Sequence, residues 1–398
     1  NDMKQAIETR EFIKTVVICT LASYGGPEAH YGVFSKEMVE KKKYISQEEL
    51  TELIGIFSLL PGPSSTQTIT AIGYRVGGPI IALTTLGIWI MPALFTMSLL
   101  GIILDWLTYH QQWQSLLTFL PATAIAFITY AAIQLTRKVI HSKNDGLEYL
   151  LFCCLAFLFI PWSVWMVLAL LLFGGFLGIL PNLFKVRDEM KQVTTHSKPK
   201  WFLVGIILLL AVSFESATFF WGGNVSLFSS IYRYGYSVIG GGQVMIPLMI
   251  QDLVNGQHFL NQVDFLAGYT LDQAVPGPLF SFAAFVTSRS LTGSPFLILL
   301  LGMVGGALIF LPGTLLVFFA TPLWQEYRNL HYVRHFLKGV SIVVAAIITL
   351  TAFKQMPLLN DSLSMWLVFL ASLAFLLYKK IPAPLIVMAS LLLGLLWG

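Results

Sequence analysis

Long stretches without any charged residue alternate with short polar segments along this chain. Three of these stretches cover residues 79–104, 149–180 and 290–325. Each is long enough to cross the hydrocarbon core of a bilayer as a helix, which takes about 20 apolar residues. The short alternating segments that are typical of a membrane β-barrel do not occur in the sequence. The pattern therefore predicts an all-α polytopic membrane protein.

The composition supports this interpretation and excludes several other classes. The 398 residues are 56% hydrophobic and only 11% charged, whereas a soluble protein carries about 25% charge. The net charge of +4 is modest and does not indicate a nucleic-acid partner. The three cysteines, with Cys153 and Cys154 adjacent, suit neither a metal site nor a disulfide framework. We expect no cofactor, and the polar start NDMKQAIETREF predicts no cleaved signal peptide.

The sequence resembles itself when it is shifted by 215 residues. The spacing from a glycine pair to the tripeptide Pro-Gly-Pro is 36 residues in both copies. Agreement over such a length indicates a duplication. The matching positions are Gly25-Gly26 with Gly240-Gly241, Glu49 with Asp264, residues 61–63 with 276–278, Gly78 with Gly293, and Gly87 with Gly302.

The duplication predicts a domain organisation of two repeats joined by a linker. The first repeat covers residues 1–184, the linker 185–200 and the second repeat 201–398. The linker is rich in Lys and Arg, and the positive-inside rule places such segments in the cytoplasm. We therefore expect a multi-pass protein of the plasma (inner) membrane, with its linker in the cytoplasm.

Counting membrane crossings from the linker predicts repeats of inverted topology. Residues 149–180, interrupted by Pro161, are too many for one span and are interpreted as a hairpin of two short helices. An odd number of crossings then separates residues 79–104 from residues 293–321, so the two equivalent spans run in opposite directions. This orientation also places the following basic residues in the cytoplasm: Arg328, Arg334, Lys338, Lys379 and Lys380.

Each Pro-Gly-Pro tripeptide predicts a break between two half-helices. Proline lacks an N–H and disfavours helix in the residue before it, so Leu60 and Val275 should leave the helix. Pro63 or Pro278 can then occupy the first position of a new helix. One Pro-Gly kink is more often structural, but two copies in an inverted repeat favour a substrate pathway near the midplane, as in transporters with broken helices.

The residues around the breaks are the main candidates for substrate binding. A helix N-terminus with free N–H groups and hydroxyl side chains suits an oxyanion. The two breaks share a backbone pattern but differ in side chains, because Leu279 and Phe280 replace Ser64 and Ser65. The candidates are Pro61, Gly62, Pro63, Ser64, Ser65, Thr66 and Gln67 in the first repeat, and Pro276, Gly277, Pro278 and Ser281 in the second.

The glycine-rich motifs upstream of the breaks supply a second group of candidates. Glycine runs inside apolar helices permit close helix approach or backbone contact with a ligand. A lone His here is more often a hydrogen-bonded structural residue than a ligand, although a nearby Glu favours a functional role for it. The candidates are Gly26, Glu28 and His30 in GGPEAHYGVF, and Gly241, Gly242 and Gln243 in GGGQVMIPLM.

Charged residues near the breaks are candidates for coupling or gating, because charges within membrane segments are costly. Asp272 lies one turn before the second break, where the first repeat has Phe57. For Glu49 and Asp264, a structural salt bridge or exposure at the interface is an equal alternative. Arg75 and Arg289 are interpreted as the only arginines near the breaks. We expect them to act in gating or anion attraction, or to snorkel, rather than to bind the anion directly.

These motifs resemble those of the chromate ion transporters in their long form with two homologous halves. The resemblance rests on GGPEAHYGVF, LLPGPSSTQ and GYRVGG in the first half, and on GGGQVMIPLM, FLAGYTLDQAVPGPLFSFA and TGSP in the second. One departure is Gln243, where the family usually has an aromatic residue. The resemblance implies efflux of chromate from the cytoplasm and chromate resistance, with sulfate as a chemical mimic; the residues alone predict only an anion transporter.

Three functions remain open on the sequence. The first is secondary active transport of a tetrahedral dianion, since no Walker motif is present. The second is a sulfate or other oxyanion carrier, or a small-anion channel. The third is an intramembrane enzyme acting on lipid, which would need a convergent cluster of His, Asp or Glu; we expect no enzyme. The expected partners are chromate or sulfate and the lipid bilayer, and the sequence leaves a homodimer open.

Overall fold

The structure is a computed structural model that describes residues 2–58, 60–159, 164–180, 199–239, 242–323, 331–378 and 381–397. The side chains of residues 2–8, 111–113, 164, 243, 331–334 and 361 lie outside that description. Every regular element within the described ranges is a helix, as the all-α prediction requires.

The first half of the chain begins with a long helix and contains the first Pro-Gly-Pro segment between two helices. Its elements are α1 (Asp2–Ala22), α2 (Pro27–Phe34), a π-helical turn (Ser35–Lys41), α3 (Gln47–Phe57), α4 (Ser64–Tyr109), a 3-10 segment (Gln111–Leu117), α5 (Leu120–Val139), α6 (Lys143–Phe159) and α7 (Val164–Ile179).

The second half follows the same order after one additional helix at its start. Its elements are α8 (Trp201–Trp221), α9 (Gly223–Ser237), a 3-10 turn (Gly242–Val244), α10 (Met245–Met249), a π-helical turn (Ile250–Gly256), α11 (Gln262–Asp272), a 3-10 turn (Leu279–Ser281), α12 (Phe282–Ser290), α13 (Pro295–Leu308), α14 (Leu311–Ala320), α15 (His331–Gln355), a 3-10 segment (Met356–Asp361), α16 (Leu363–Tyr378) and α17 (Ala383–Trp397).

The sequence offset of 215 residues also relates local backbone features. The π-helical turns Ser35–Lys41 and Ile250–Gly256 differ by this number, as do the bounds of α3 and α11. Each π-helical turn is followed by a non-glycine residue in the left-handed region, Lys43 with φ 55° and His258 with φ 56°. Such residues are uncommon, so their recurrence at equivalent positions is a structural trace of the duplication.

Five helices among the described residues are long and apolar enough to cross a membrane: Ser64–Tyr109, Gln114–Val139, Trp201–Trp221, Pro295–Ala320 and His335–Asn360. The first comprises 46 residues, but Gly77 and Gly78 have non-helical backbone angles inside it. Gly78 has a φ of 73°, a region that glycine enters without steric cost. The residues before and after this pair therefore form two helical segments, and Pro79 starts the second.

The predicted hairpin in residues 149–180 is confirmed, because α6 and α7 are separate helices that contact each other. Pro161 itself lies outside the described residues, as do residues 181–198, which include all but the last two residues of the predicted linker, and Arg328, Lys379 and Lys380. The Arg334 side chain is likewise outside the description.

The chain divides into two compact units, and neither unit coincides with one sequence repeat. Unit 1 contains Asn1–Ile102, Thr195–Gly242 and Val275–Arg328. Both Pro-Gly-Pro segments belong to unit 1. In it, glycines of α13 meet α12 closely, since a Cβ atom at Gly305 would lie 2.2 Å from Thr287 Oγ1.

Unit 2 contains Ile103–Thr194, Gln243–Ala274 and Asn329–Gly398. Its central helix α15 packs on α5, α6 and α7. Small residues permit this packing, because a Cβ atom at Gly339 would lie 2.0 Å from the Gly174 carbonyl oxygen. At the start of α6, Lys338 Nζ lies 2.6 Å from Asp145 Oδ1.

Candidate functional site

The first Pro-Gly-Pro segment lies in unit 1 between α3, which ends at Phe57, and α4, which begins at Ser64. Leu60 lies outside both helices, as expected for a residue before proline. The sequence predicted Pro63 as the first residue of the new helix. In the structure Pro63 directly precedes Ser64, the first helical residue. Gly62 has a φ of 115°, which an L-amino acid with a side chain rarely adopts, so the residue type follows from the backbone path.

Three hydroxyl side chains in the first turn of α4 are buried and hydrogen-bonded. Ser64, Ser65 and Thr66 are only 4%, 3% and 2% exposed. Tyr31 Oη donates to Ser64 Oγ at 2.9 Å, and Trp89 Nε1 donates to Thr66 Oγ1 at 3.0 Å. The hydroxyls are therefore held in place by α2 and by the second segment of α4. We call this set, with His30, the hydroxyl cluster.

His30 belongs to this cluster through Ser65. Its Nδ1 atom lies 3.0 Å from Ser65 Oγ, and its ring meets the Trp89 ring edge-on at 5.3 Å between centroids. The residue is 0% exposed. The other ring nitrogen, Nε2, makes no hydrogen bond of ordinary geometry within the described chain, although the Gly25 backbone is part of its electrostatic environment. The imidazole is thus placed to orient the Ser65 hydroxyl.

Gln67 ties the first break to α14. Its Nε2 donates to the carbonyl oxygens of Pro61 at 3.0 Å and Gly313 at 3.2 Å. The Gln67 Oε1 atom is buried and has no hydrogen-bond partner among the described residues. A Cβ atom at Gly62 would lie 3.1 Å from the Gly313 Cα. The backbone of α14 and the break are therefore in close contact, and glycine on both sides permits it.

The second Pro-Gly-Pro segment has a similar backbone in more apolar surroundings. Gly277 has a φ of 132°, and Pro278 is extended before the 3-10 turn Leu279–Ser281. A Cβ atom at Gly277 would lie 2.7 Å from Ala93 Cβ. Ser281 is buried, with 1% exposure, and its N–H donates to the Pro278 carbonyl at 2.9 Å. Pro276 is half-buried.

The two breaks make equivalent backbone hydrogen bonds, each to a residue of the other repeat. Gly62 N–H donates to the Val238 carbonyl at 2.8 Å, and Gly277 N–H donates to the Ser23 carbonyl at 2.8 Å. Gly62 and Gly277 are equivalent under the offset of 215, and so are Ser23 and Val238. Each break thus finds its acceptor two residues before the glycine run of the other repeat. All four residues belong to unit 1.

Glu49 and Arg75, predicted for coupling or gating, form an ion pair with 2.6 Å between Glu49 Oε1 and Arg75 Nη2. Glu49 also accepts the Ser46 N–H at 2.9 Å in a capping box at the start of α3. The Ser46 backbone lowers the pKa of Glu49 most, and the Arg75 guanidinium lowers it further against the opposing effect of partial burial. The Arg75 side chain is 43% exposed, so the pair is a surface feature.

Asp264 occupies the equivalent cap at the start of α11, in unit 2. Its N–H donates to Asn261 Oδ1 at 2.7 Å, and Asn261 Nδ2 donates to Asp264 Oδ2 at 3.0 Å. Asp264 is 7% exposed. Asp272, the last residue of α11, is 5% exposed and belongs to the same unit. Both carboxyl groups are thus more buried than that of Glu49.

The remaining predicted residues are scattered or fall outside the description. Glu28 is exposed, Gly26 is half-buried, and Arg289 in the last turn of α12 is half-buried. Gly242 is buried at the start of its 3-10 turn, where a Cβ atom would lie 3.1 Å from Leu279 Cδ2. Gly241 and the Gln243 side chain lie outside the described residues.

Sequence reasoning missed several residues of the site. Tyr31 and Trp89 hold the hydroxyls but resemble ordinary apolar membrane residues, so no pattern distinguishes them. Arg233 was also missed: it is 8% exposed and bonded to Glu215, and it lies five residues before Val238. Arg75 and Arg289 are therefore not the only arginines near the breaks. Glu215, a charge inside the apolar helix α8 that bonds Arg233, was the available signal.

The chemistry of the hydroxyl cluster suits an anion better than a cation. The first N–H groups of a helix lack intrahelical partners and lie at the positive end of its dipole. Here they accompany three hydroxyl groups and a buried glutamine amide. Among the described residues, no group of three or more His, Cys, Asp or Glu is placed to hold a metal ion.

Comparison with known proteins places the sequence repeat in a family. A family model described as "Chromate transporter" matches residues 10–179 and 225–395. A chromate transport protein of Cupriavidus metallidurans is 25% identical over 386 residues, which cover 94% of this chain and 89% of the relative. A chromate transport protein of Pseudomonas aeruginosa is 27% identical over 405 residues, with 94% and 89% covered. An uncharacterised transporter of Methanocaldococcus jannaschii is 21% identical over 387 residues, with 94% and 91% covered. No solved structure matches this chain.

Proposed function

This chain belongs to the chromate transporter family, and from that premise we propose that it transports chromate as a secondary active transporter. The direction we propose is export from the cytoplasm, which would confer chromate resistance. The single observation that carries the proposal is the reciprocal pair of backbone hydrogen bonds by which each Pro-Gly-Pro segment is bound to the other repeat, the first of these segments adjoining the buried hydroxyl cluster. Two such breaks are an arrangement that secondary transporters use at their substrate sites.

The proposed architecture is a pair of inverted-topology repeats with helices broken at the Pro-Gly-Pro motifs, in residues 1–184 and 201–398. The equivalence of α3 with α11, of the π-helical turns and of the left-handed glycines supports two repeats. The reciprocal bonds of Gly62 and Gly277 support a pseudo-two-fold relation between them. We further propose an inner-membrane location with the 185–200 linker in the cytoplasm, and a homodimer as the assembly.

The membrane potential favours the proposed direction. A charge that crosses the bilayer gains or loses about 2.3 kcal/mol per 100 mV. Chromate is a dianion, so an inside-negative potential favours its exit by roughly 4.6 kcal/mol per 100 mV. With an electrical driving force of this size, export does not require ATP hydrolysis. Coupling to a proton or another ion would add to this driving force.

The proposed substrate site is weighted towards the first repeat. Ser64, Ser65 and Thr66 supply hydroxyls there, whereas Leu279 and Phe280 make the second break more apolar. Gln67, His30 and the residues of the breaks complete the binding set, with Gly26, Glu28, Gly241, Gly242 and Gln243 as its upstream part. Asp272 is proposed for coupling, with Glu49, Asp264, Arg75 and Arg289 in gating. Chromate and sulfate share tetrahedral geometry, so sulfate should compete.

The test is accumulation of radiolabelled chromate in cells that produce the full chain. Wild type should lower accumulation relative to cells with an empty vector. Ser65→Ala should lose about tenfold in apparent affinity, as expected for a hydrogen bond to a charged group, and Ser281→Ala should lose less. Asp272→Asn should lose the response to an ion gradient. Ser390→Ala is a matched control, because Ser390 is a buried serine in unit 2 that bonds Thr123.

Equal accumulation in wild-type, Ser65→Ala and empty cells would overturn the proposal. Purified protein in vesicles then separates the alternatives. Saturable exchange that is stimulated by chromate on the opposite side identifies a carrier, whereas large unitary currents identify a small-anion channel. Transport of sulfate in preference to chromate identifies a carrier for sulfate or another oxyanion.

A further inference from the structure

The N-terminus of α4 is buried, and its first amide groups have no acceptor among the described residues. The Gln67 N–H donates to the Pro63 carbonyl at 2.9 Å, which makes Pro63 the cap residue. A helix leaves the N–H groups of the first residues after its cap without an intrahelical acceptor, and these residues are Ser64, Ser65 and Thr66. Proline offers them no side-chain acceptor. A buried helix end of this kind requires another partner.

Three other helix starts show how this chain satisfies such groups. Ser46, Asn261 and Ser294 cap α3, α11 and α13 with a side-chain oxygen that accepts the N–H of the third helical residue. α4 differs, because its cap is a proline and its third residue, Thr66, carries a hydroxyl of its own. The first turn of α4 therefore presents hydrogen-bond donors where the other three helices have a side-chain cap.

The hydroxyl group of Thr66 is bound differently from those of several other buried threonines. Thr68, Thr70 and Thr287 each donate the hydroxyl proton to the carbonyl oxygen four residues earlier, at 2.7–2.8 Å. Thr66 Oγ1 instead accepts a hydrogen bond from Trp89 Nε1 at 3.0 Å, and the direction is certain because an indole nitrogen only donates. The Thr66 proton itself has no acceptor within the described chain. It remains available to a ligand.

The kink at Gly77-Gly78 brings Trp89 to Thr66. In a continuous helix, the 23 residues between them would correspond to about 35 Å along the axis, yet their side chains are hydrogen-bonded. The two segments of α4 therefore run back along each other, and a Cβ atom at Gly73 in the first segment would lie 3.2 Å from the Ala82 Cα in the second.

The Trp89 ring is held in one orientation by its neighbours. It is 0% exposed and meets the rings of His30 and Phe34 at 5.3 and 5.4 Å between centroids. Under the offset of 215, Val304 takes the place of Trp89 in the second repeat. Valine has no N–H group, and Val304 is 52% exposed. The indole N–H is therefore a feature of the first repeat and not of the duplicated unit.

We propose that the Trp89 N–H directs the Thr66 hydroxyl proton towards the transported oxyanion, so that Thr66 donates to the anion and Trp89 is a positioning residue. The proposal rests on the proposed function, because it takes the N-terminus of α4 as the substrate site. A hydroxyl that accepts one hydrogen bond is a stronger donor in the next, since successive bonds polarise each other. Together with the free N–H groups of the first turn, the Thr66 hydroxyl forms a set of donors that suits a tetrahedral anion.

The experiment measures the half-saturating concentration and the maximal rate of labelled chromate uptake by full-length protein in vesicles. Thr66→Val removes the hydroxyl at nearly constant shape and should raise the half-saturating concentration about tenfold or more, as expected for a hydrogen bond to a charged group. Trp89→Phe should raise it by a smaller factor, because the hydroxyl remains but is no longer oriented. Both variants should change the maximal rate less, since the lost interaction is with the bound anion. Thr66→Ser retains the hydroxyl and should behave close to wild type.

The double variant Trp89→Phe/Thr66→Val tests whether the two residues act as one unit. If Trp89 acts through Thr66, the double variant should bind chromate no more weakly than Thr66→Val alone, because residues that share one interaction are not additive. If Trp89 contributes only by packing, the two factors should multiply. Multiplied factors, or an unchanged half-saturating concentration in Thr66→Val, would overturn the proposal.

An isosteric replacement keeps the test decisive if Trp89→Phe folds poorly. The benzothiophene analogue of tryptophan retains the size of the ring and carries sulfur in place of the N–H group. At position 89 it should raise the half-saturating concentration, and an unchanged value would contradict the role of the N–H. Thr70→Val is the matched control for Thr66→Val, because Thr70 is buried in the same helical segment and its hydroxyl proton is bound to a carbonyl. Trp106→Phe is the control for the indole, because Trp106 is 50% exposed near the other end of α4.

The failure of this proposal differs from the failure of the proposed function. Saturable chromate transport by wild type, with the same half-saturating concentration in Thr66→Val, would overturn the role of Thr66 and Trp89 and leave the proposed function standing. Absence of chromate transport by wild type would overturn the proposed function, and this role with it.

Discussion

The two Pro-Gly-Pro segments share a backbone but not a chemical environment. Gly62 and Gly277 both have positive φ values, and each donates to the residue two positions before the other repeat's glycine run. Around the first segment are hydroxyls and a buried glutamine, whereas Leu279 and Phe280 follow the second. The comparison teaches that the duplicated chain retained the geometry of its breaks while the side chains diverged, which predicts one asymmetric site rather than two equal ones.

The largest expected effect comes from filling the space at each glycine. Gly277→Ala should lower the free energy of unfolding by about 4 kcal/mol, because the new methyl group meets Ala93 and the residue has an unfavourable φ. Gly62→Ala should cost about 2 kcal/mol, since its neighbours are less close and include the end of a side chain. Thermal unfolding in detergent, followed by size-exclusion chromatography, measures both.

Gly87→Ala is the control for this pair of variants. Gly87 lies within the helical part of α4, and a Cβ atom there would meet no other atom within 4 Å. Alanine should therefore be neutral or stabilise the helix by up to about 1 kcal/mol. Equal stability of Gly277→Ala and Gly87→Ala would show that the backbone at the second break is not as constrained as its φ value indicates.

A smaller difference should appear at the two equivalent helix caps. Ser46→Ala removes the cap of α3 and should cost about 1 kcal/mol. Asn261→Ala should cost about 2 kcal/mol, because it removes the cap of α11 and also the amide that donates to the buried Asp264. Chemical unfolding of purified protein compares them. A larger loss for Ser46→Ala would contradict the difference in burial between the two carboxylates.

The smallest effect concerns the ion pair between Glu49 and Arg75 in the first repeat. Arg75→Ala should cost less than about 1 kcal/mol, since the pair is exposed. The pKa of Glu49 is lowered in the folded protein, so its stabilising contribution is present above the ordinary glutamate pKa. That contribution is lost as the pH falls through the lowered value. Melting temperatures at neutral and acidic pH should converge between wild type and Glu49→Gln on acidification, and a constant difference would refute this role.

The sequence predicted the repeated parts of the fold well because duplication leaves a spacing that can be read directly. The offset of 215 aligns Pro-Gly-Pro segments and cap residues without knowledge of any contact. The Gly77-Gly78 kink also has a local signal in RVGGP. Local backbone chemistry, such as a proline without an N–H or a glycine at positive φ, is encoded in the residue itself.

The candidate site was predicted only in part, because its contacts are distant in sequence. The bonds from Gly62 to Val238 and from Gly277 to Ser23 join backbone atoms, and any residue type can supply a carbonyl. Trp89 and Tyr31 carry polar atoms at the ends of apolar bodies, so their role depends on where they lie. The bond between Gln67 and Gly313 spans 246 residues. Such pairings follow from tertiary packing, which no local sequence pattern predicts.

The exchanged bonds make the two breaks unequal during synthesis of the chain. Gly277 finds its acceptor already made, because Ser23 left the ribosome long before. Gly62 must wait for Val238, 176 residues later, which takes roughly 9–35 s at 5–20 residues per second. An unsatisfied N–H at membrane depth costs several kcal/mol. The Gly62 N–H of the first half therefore obtains its acceptor only once α9 and the residue after it have been translated.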